Sequence, residues 1–338
     1  MNRTVLIRKI TENIQLAREE KITYEVIYEN YLTDHKDHEF LFFIKPEITG
    51  NEKNIKLESI LELTFDKLSL FGLAVKDIRI LGASYLEKFD VIARHYGVIN
   101  AMSRSPREYL SADALVRFND EFGKSTDQVT LMGSLEFLQH FPQFAPDSLN
   151  ELWQSSKALK LAGGTYCALV RPDNKDIYLI NGFHPKQLIH FTEKGRSIVA
   201  FTLNGNLDWA SARNNFIGKT NPVDAATGSL RNEILARQKE LGLHQVSASR
   251  NGFHLSAGPV EGLVELIRYC SNYAVDQVKT PDDFLFGRKL KSVLGSENVL
   301  KSMENHLVNH HGNYIRVFDL TEEKNSVEAL QLLKDSMF

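Results

Sequence analysis

Apolar and polar residues alternate along this chain with two periods, one typical of strands and one typical of helices. Three short apolar runs predict strands: EFLFFIK at 39–45, AVKDIRIL at 74–81 and RSIVAFTLNG at 196–205. Between the first two runs, residues 56–71 carry apolar side chains at helical spacing. Because helices and strands follow one another in turn, we expect a layered α/β or α+β fold.

The remaining segments extend this pattern. Residues 1–34 predict an N-terminal helical segment, and TYCALV and DIYLIN, separated by RPDNK, predict a hairpin. HQVSASRNGF at 244–253 predicts a strand that leads to His254. Pro259 begins a predicted helix, since proline is favoured in the first helical turn. Three ranges in the tail predict helix, strand and helix in that order: 297–311, 313–320 and 326–337.

The composition is that of an ordinary globular protein, with 338 residues, 43% of them hydrophobic and 25% charged. A net charge of −3 gives no sign of nucleic-acid or anionic-membrane binding. Cys167 and Cys270 form no metal or redox motif, which fits a reducing compartment. No signal peptide or membrane-spanning apolar run is found in the sequence, so we expect a cytoplasmic protein with no membrane partner.

Candidate chemistry is concentrated between Gly218 and Glu265. His254 stands between a predicted strand and a predicted helix, where side chains project from a rigid edge. Glu265 follows eleven residues later, three helical turns away, and could orient an imidazole beside that helix. A carboxylate that accepts one ring N–H leaves the other nitrogen to attack as a nucleophile. A solvated glutamate has the same spacing, so the spacing alone does not decide.

Four further residues suit the oxygens of a di- or triphosphate. Thr220, Arg231 and Asn251 are hydrogen-bond donors, and Lys45 ends the first predicted strand. Arginine offers a planar fork and lysine a point charge for such anions. Taken singly, Thr220 would be read as part of a turn or helix cap.

Together, these segments resemble the nucleoside diphosphate kinases. FFIKPEI resembles the first-strand Lys-Pro-Asp signature of that family, and GKTNPVDAATGSLRNE resembles its Gly-x-Thr-Asn-Pro…Gly-Thr-Ile-Arg-Gly-Asp segment. NGFHLSAGPVEGLVEL is similar to its Asn-x-x-His-Gly-Ser-Asp-Ser helix entry. The resemblance covers residues 39–98 and 186–272 and is most specific from Thr220 to Glu265.

The resemblance implies an α+β fold with a ferredoxin-like βαββαβ core, an inserted α/β segment and a C-terminal extension. The core would comprise residues 39–98 and 186–274, after an N-terminal helical extension over 1–38. Residues 99–185 would be the insertion and 275–338 the C-terminal extension.

The resemblance also implies a ping-pong reaction. His254 would take the terminal phosphoryl group of an ATP or other NTP and pass it to an NDP, with Mg²⁺ bridging the phosphates rather than held by a protein site. Ser256, Glu265 and Tyr96 would support the histidine. The residues implied to bind the nucleotide are Lys45, Thr220, Arg231, Asn251, Arg213 and Phe183. Asn251 would hold the ribose and Phe183 would stack on the base. Members of the family form dimers, tetramers and hexamers, so a homo-oligomer is among the expectations.

The chain departs from the family pattern near the candidate site. Asn214 stands where the family has an arginine, although Arg213 is adjacent and could substitute. Leu255 replaces the glycine after the histidine, and we expect its side chain to crowd the phosphate. Ala257-Gly258 replaces Asp-Ser, and about ten extra residues precede Asn251.

These departures leave three functions open. The first is a nucleoside diphosphate kinase-like phosphotransferase. The second is a catalytically weakened nucleotide-binding regulatory or interaction module on the same fold. The third is a specialised enzyme whose insertion selects one phosphorylated acceptor.

Overall fold

The computed structural model describes residues 2–30, 36–52 and 54–337. The chain divides into two compact units. The first comprises residues 1–85 and 194–338, and the second is Leu86–Glu193. The second unit therefore contains the expected insertion, 99–185, while both expected extensions belong to the first.

The elements are numbered in chain order. The strands are β1 Tyr24–Glu29, β2 His38–Ile44, β3 Ala74–Gly82, β4 Leu131–Gly133, β5 Leu159–Ala162, β6 Thr165–Val170, β7 Ile177–Ile180, β8 Ser197–Gly205, β9 Phe253–Leu255, β10 Leu307–His310 and β11 Asn313–Arg316. The helices are α1 Arg3–Arg18, α2 Pro46–Thr49, α3 Leu57–Leu70, α4 Ala83–Lys88, α5 Val91–His95, α6 Gly97–Arg104, α7 Pro106–Tyr109, α8 Ala112–Phe122, α9 Ser134–His140, α10 Pro146–Gln154, α11 His184–Thr192, α12 Trp209–Ser211, α13 Leu230–Ala236, α14 Pro259–Cys270, α15 Leu285–Met303, α16 Val317–Thr321 and α17 Ser326–Lys334. A π-helix, Ala212–Ile217, follows α12 directly.

The first unit is built on a five-stranded sheet in the order β1-β3-β8-β2-β9. All neighbouring strands in it are antiparallel. A separate hairpin, β10-β11, lies in the C-terminal region. Helices and several sheets occur together in the chain, which agrees with the predicted α+β class.

One face of the five-stranded sheet carries the apolar core. Every second residue of β2, Phe40, Phe42 and Ile44, is fully buried in a cluster with α1 and α3. Helix α1 buries Ile10 and Ile14 in it, and α3 buries Ile60 and Leu61. Successive strand residues point to opposite faces, so this alternation separates the core from the other side of the sheet.

Helix α14 packs against β2, and the strand residues Leu41 and Phe43 between the core positions are also buried. The helix begins with Pro259 at its first position, as predicted. Gly258 precedes it, and a Cβ there would lie 2.4 Å from the carbonyl oxygen of Thr321. The C-terminal segment therefore approaches the start of α14 too closely for any residue but glycine.

The second unit has a four-stranded sheet in the order β4-β7-β6-β5. Strands β4 and β7 are parallel and the other pairs are antiparallel. The two faces bury separate clusters: Phe118, Cys167 and Tyr178 belong to one, and Phe137 and Trp153 to the other.

Several predicted elements are confirmed. The three apolar runs form β2, β3 and β8, the helix over 56–71 is α3, and TYCALV and DIYLIN pair as the β6-β7 hairpin. These segments have strong periodicity over a length that suits their element.

Other predictions of elements are wrong. The N-terminal segment is helical only in α1, since Tyr24–Glu29 forms β1 and pairs with β3; residues 31–34 of that prediction lie outside the described residues. The strand predicted over 244–253 is reduced to Phe253–Leu255, because Gly252 adopts φ +77° and interrupts the extended chain. The helix predicted over 297–311 ends at Met303, and Leu307–His310 is a strand.

Candidate active site

In strand β9, the side chain of His254 points to one face of the sheet, and the side chains of its neighbours Phe253 and Leu255 point to the other. Phe253 and Leu255 are fully buried in the apolar cluster, while His254 is paired with Phe43 of β2. The imidazole stacks on the Phe43 ring, with centroids 4.5 Å apart and planes 21° apart. The expectation that Leu255 crowds the phosphate is wrong, because its side chain lies on the far face from the imidazole.

Glu265 of α14 holds the imidazole, the first of the two alternatives that the spacing left open. Nε2 of His254 lies 3.0 Å from Oε1 and 3.1 Å from Oε2 of that carboxylate. A carboxylate only accepts, so this contact selects the tautomer with the proton on Nε2. The predicted Ser256 also contributes, since its hydroxyl donates to Oε2 of Glu265 at 2.5 Å. The His254 side chain is 19% exposed and that of Glu265 is 2% exposed, so the imidazole is partly exposed and its carboxylate is buried.

A second carboxyl group, Glu261, lies one helical turn before Glu265 on α14. The pKa of Glu261 is raised to about 8, chiefly by burial and also by the nearby Glu265 charge, while Arg213 opposes the shift. The protonated form of Glu261 is therefore favoured at neutral pH, which limits the negative charge beside Glu265.

Lys45, Asn251 and Thr220 meet in one hydrogen-bonded group. The ammonium of Lys45 donates to Oδ1 of Asn251 at 2.7 Å. The amide of Asn251 donates to the carbonyl oxygens of Thr220 at 3.0 Å and Ala248 at 3.1 Å. Asn251, which the resemblance assigns to the ribose, is 1% exposed and its side chain ties three chain segments together.

Lys45 and Glu47 flank the turn that leads into β9. The pKa of Lys45 is lowered to about 8, chiefly by burial and also by the Arg231 charge, while Glu47 opposes the shift. Oε1 of Glu47, which stands in place of the family's aspartate, accepts from the backbone N–H of Gly252 at 2.8 Å. Because Gly252 is next to β9, this bond fixes the start of the strand that carries His254.

The two predicted arginines donate to backbone carbonyls. Arg231 is 5% exposed and donates to Gly218 and Phe253, both at 2.8 Å. Arg213 donates to the carbonyl of Leu255 at 2.9 Å and lies 3.9 Å from the Glu323 carboxylate. Both guanidinium groups therefore hold the backbone on either side of His254.

An open cleft of about 360 Å³ lies beside these arginines. Its lining residues are Arg213, Asn214, Gly218, Lys219, Thr220, Asn221, Asp224, Arg231 and Glu323. The cleft thus unites three predicted nucleotide-binding residues with a lysine and two carboxylates, Asp224 and Glu323, that the sequence analysis did not select. The side-chain amide of Asn214 donates to the carbonyl of Ala210 one turn earlier, so this hydrogen bond lies within its own helical segment.

Tyr96 and Phe183, the remaining predicted site residues, belong to the second unit. Tyr96 lies between α5 and α6, with its ring edge-on to His184, 6.3 Å between centroids. Phe183 packs in an apolar cluster of that unit and contacts Trp153, 5.9 Å between ring centroids.

Several residues of the candidate site were not selected from the sequence, among them Asp224, which lines the cleft. Glu261 could have been found, because it lies four residues before Glu265 on a predicted helix. Lys219 adjoins Thr220 but resembles any exposed lysine. Phe43 and Glu323 gave no signal, since only the sheet register and the course of the C-terminal segment bring them to the site.

Comparisons with known proteins add no relative: no protein-family model matches the chain, and neither does any curated protein. Among the described helices, none has both the length and the apolar character needed to cross a bilayer.

Proposed function

We propose that this protein is a nucleoside diphosphate kinase-like phosphotransferase that works through a phosphohistidine on His254. The observation that carries the proposal is the Ser256–Glu265–His254 chain of hydrogen bonds, which fixes one ring nitrogen and one tautomer of a partly exposed imidazole. A nucleophile held by a base that a third group orients is the arrangement expected of nucleophilic catalysis.

The order of the strands supports the ferredoxin-like core of the proposal. Strands β2 and β3 are joined through α3, and β8 lies between them in the sheet. Strands β8 and β9 are joined through α13, and β2 lies between them. Two interleaved split βαβ units of this kind are the ferredoxin-like pattern.

In the proposed first step, Nδ1 of His254 attacks the terminal phosphorus of a magnesium–NTP complex. Nε2 keeps its proton and donates a hydrogen bond to Glu265, so the positive charge that develops on the ring meets a fixed carboxylate. The P–N bond forms as the bond to the bridging oxygen breaks, and NDP departs with that electron pair. In the second step, a terminal phosphate oxygen of another NDP attacks the phosphorus, and the P–N electron pair returns to the ring.

The nucleotide phosphates would bind in the cleft beside Arg213. Thr220 and Lys219 line this cleft and are exposed. Lys45 is half-buried, and hydrogen bonds through Asn251 connect it to Thr220. Cations and hydroxyl donors are the groups that phosphate oxygens bind in proteins.

The test is phosphorylation with magnesium and ATP labelled in the terminal phosphate. We expect a label on the wild type that is labile to acid, stable to base and transferred to GDP. His254→Ala should lose it, and His306→Ala, which changes an exposed histidine, should keep it. Glu265→Gln should slow labelling by about 10²-fold, within the range for removal of a group that assists proton placement. Equal labelling of wild type and His254→Ala, or no label on either, would contradict the proposal.

A nucleotide-binding regulatory module is the second candidate. It is favoured by the use of Arg231 and Asn251 to hold backbone carbonyls and by the Glu323 carboxylate in the cleft. This function predicts saturable ATP binding without a phosphohistidine, so the same labelling experiment separates the two.

A further inference from the structure

A basic groove of about 1070 Å³ lies in the first unit, away from the cleft beside Arg213. Four of its lining residues carry basic side chains, Lys56, Lys239, His244 and Arg250, and one, Glu52, carries an acid. None of its lining residues lines the other cleft. The net charge of the chain is −3, so this concentration of cations is local.

The cations of the groove lack the partners that neighbouring cations have. Next to it, Arg237 forms a fork with Glu240 at 2.6 and 3.0 Å, and Lys67 pairs with Glu233 at 3.0 Å. In the described ranges, no hydrogen bond or ion pair engages the side chains of the four basic residues. The pKa of Glu240 is lowered chiefly by its hydrogen bonds with Arg237 and also by the Lys56 charge, but that carboxylate is already engaged by Arg237, so cations remain in excess along the groove. A concave surface with an excess of charge of one sign concentrates its field on ligands of the other sign.

The groove walls are held by backbone contacts. Gly242 has φ +70°, and a Cβ there would lie 1.7 Å from the carbonyl oxygen of Asn54, so only glycine allows the two walls to approach this closely. The N–H of Lys56 donates to the carbonyl of Leu241 at 3.0 Å. Arg250 is fixed by a turn with Ser247 and by the buried Asn251 that follows it.

We propose that this groove binds a compact anion with two or more phosphate groups. Three permanent cations against one carboxylate favour a multiply charged ligand, and phosphate oxygens are suited to both lysine and arginine donors. Among the described lining residues there is no phenylalanine, tyrosine or tryptophan, and the single ring is the imidazole of His244, which favours a small polyphosphate over single-stranded nucleic acid held by several stacked bases.

Five of the eight lining residues lie between positions 239 and 250, in the stretch that joins Arg231 to Asn251. Arg250 is adjacent in the chain to Asn251, which accepts from Lys45. The proposal for the groove nevertheless stands without the phosphotransferase proposal, because the two sets of lining residues are separate.

The test uses inorganic tripolyphosphate and the full-length chain labelled with ¹⁵N. Backbone amide shifts of Gly242, Leu243 and His244 report the groove, and those of Lys219 and Thr220 report the other cleft. We expect saturable shifts in the groove amides. The double variant Lys239→Gln/Arg250→Gln should raise the Kd at those amides at least tenfold.

The matched control is Lys157→Gln/Lys334→Gln, which removes the same charge at exposed positions elsewhere. It should change that Kd less than threefold. Absence of saturable shifts at the groove amides in the wild type would overturn the proposal, as would equal weakening in both double variants. Tighter binding of a single-stranded RNA oligonucleotide than of tripolyphosphate at the same amides would overturn the assignment to a compact ligand. Thermal unfolding of each variant verifies that it is folded.

Discussion

The two faces of the five-stranded sheet use the same strands for different purposes. On one face, Phe40, Phe42 and Ile44 bury only hydrocarbon against α1 and α3. On the other, Phe43 stacks on His254, whose ring is held by Glu265 of α14. Since the alternation of β2 and β9 separates the two faces, residues next to each other in sequence belong to the core and to the candidate site.

The face with α14 also buries a cluster of charges away from the histidine. Arg79 of β3 donates to Asp77 at 2.6 and 2.7 Å and to Glu29 of β1 at 2.7 Å. It also donates to the hydroxyl of Tyr24 and to the carbonyl of Cys270, the last residue of α14. Buried charges are tolerated when they are paired in this way, so this network fixes one position for the end of the helix that carries Glu265.

The comparison teaches that stability and chemistry can be tested separately within one sheet. A change on the apolar face should lower the free energy of unfolding and leave the histidine chemistry intact in folded molecules. A change on the other face should affect both.

The sharpest test of this separation is the pair Phe42→Leu and Phe43→Leu. Both rings are fully buried, and each change should lower the free energy of unfolding by about 1–2 kcal/mol through lost packing. Only Phe43→Leu removes the ring stacked on His254, so it should also slow phosphorylation severalfold at a temperature where both variants are folded. Denaturant unfolding and labelling rates measure the two effects. Equal labelling rates in the two variants would show that the two faces of the sheet do not differ in their effect on His254.

The charge of Lys45 offers a second test, on the side of the site next to β2. The pKa of Lys45 is lowered to about 8, so the free protein loses this cation as the pH rises through that value. Binding of magnesium–ADP should therefore weaken by up to about tenfold between about pH 7 and 9. Lys45→Arg keeps its charge over this range and should flatten the profile, whereas Lys219→Arg should keep the wild-type slope. Calorimetric titration at several pH values measures the Kd of magnesium–ADP. If Lys45→Arg shows the same pH dependence as the wild type, Lys45 does not contribute to phosphate binding.

The smallest expected effect is on the pH dependence of stability, and it concerns Glu261 of α14. Its pKa is raised from 4.5 to about 8, so between these values the folded state holds a proton that the unfolded state has lost. Stability from this group is thus complete at low pH and is lost as the pH rises toward 8. Glu261→Gln should reduce this decline by about 1 kcal/mol or more, seen as a few degrees in Tm.

The control for Glu261→Gln is Glu58→Gln, which changes an exposed glutamate on α3 and should leave the pH dependence as in the wild type. Thermal unfolding at about pH 5.5 and 8.5 gives both slopes. A Glu261→Gln slope equal to that of the wild type would show that this carboxyl is not held protonated beside Glu265.

The parts of the fold that could be predicted have a local cause. The apolar runs of β2, β3 and β8 and the helical spacing of α3 are properties of neighbouring residues, so periodicity revealed them. The same holds for the start of α14 at Pro259 and for Glu265, which a helix of fixed pitch brings to the side of its first turn. Strand β1 was missed because its partner, β3, stabilises a segment without a clear pattern of its own.

The side chains of the candidate site show where local reasoning ends. His254, Glu265, Ser256, Lys45 and Asn251 were selected from the sequence, and the structure joins them by hydrogen bonds in two groups. Their partners were not predictable in the same way. The resemblance placed Leu255 beside the phosphate because it replaces a glycine, whereas the register of β9 places its side chain in the apolar core.

By itself, the sequence determined which segments are helix or strand where periodicity is strong, and which residue types could carry the chemistry. The tertiary structure alone decided that Phe43 lies under His254, that Arg231 and Arg213 hold backbone carbonyls, and that Glu323 reaches the cleft. The physical reason is that these contacts join residues far apart in the chain. Such contacts depend on strand register and on the packing of whole elements, and the spacing of nearby residues does not encode either.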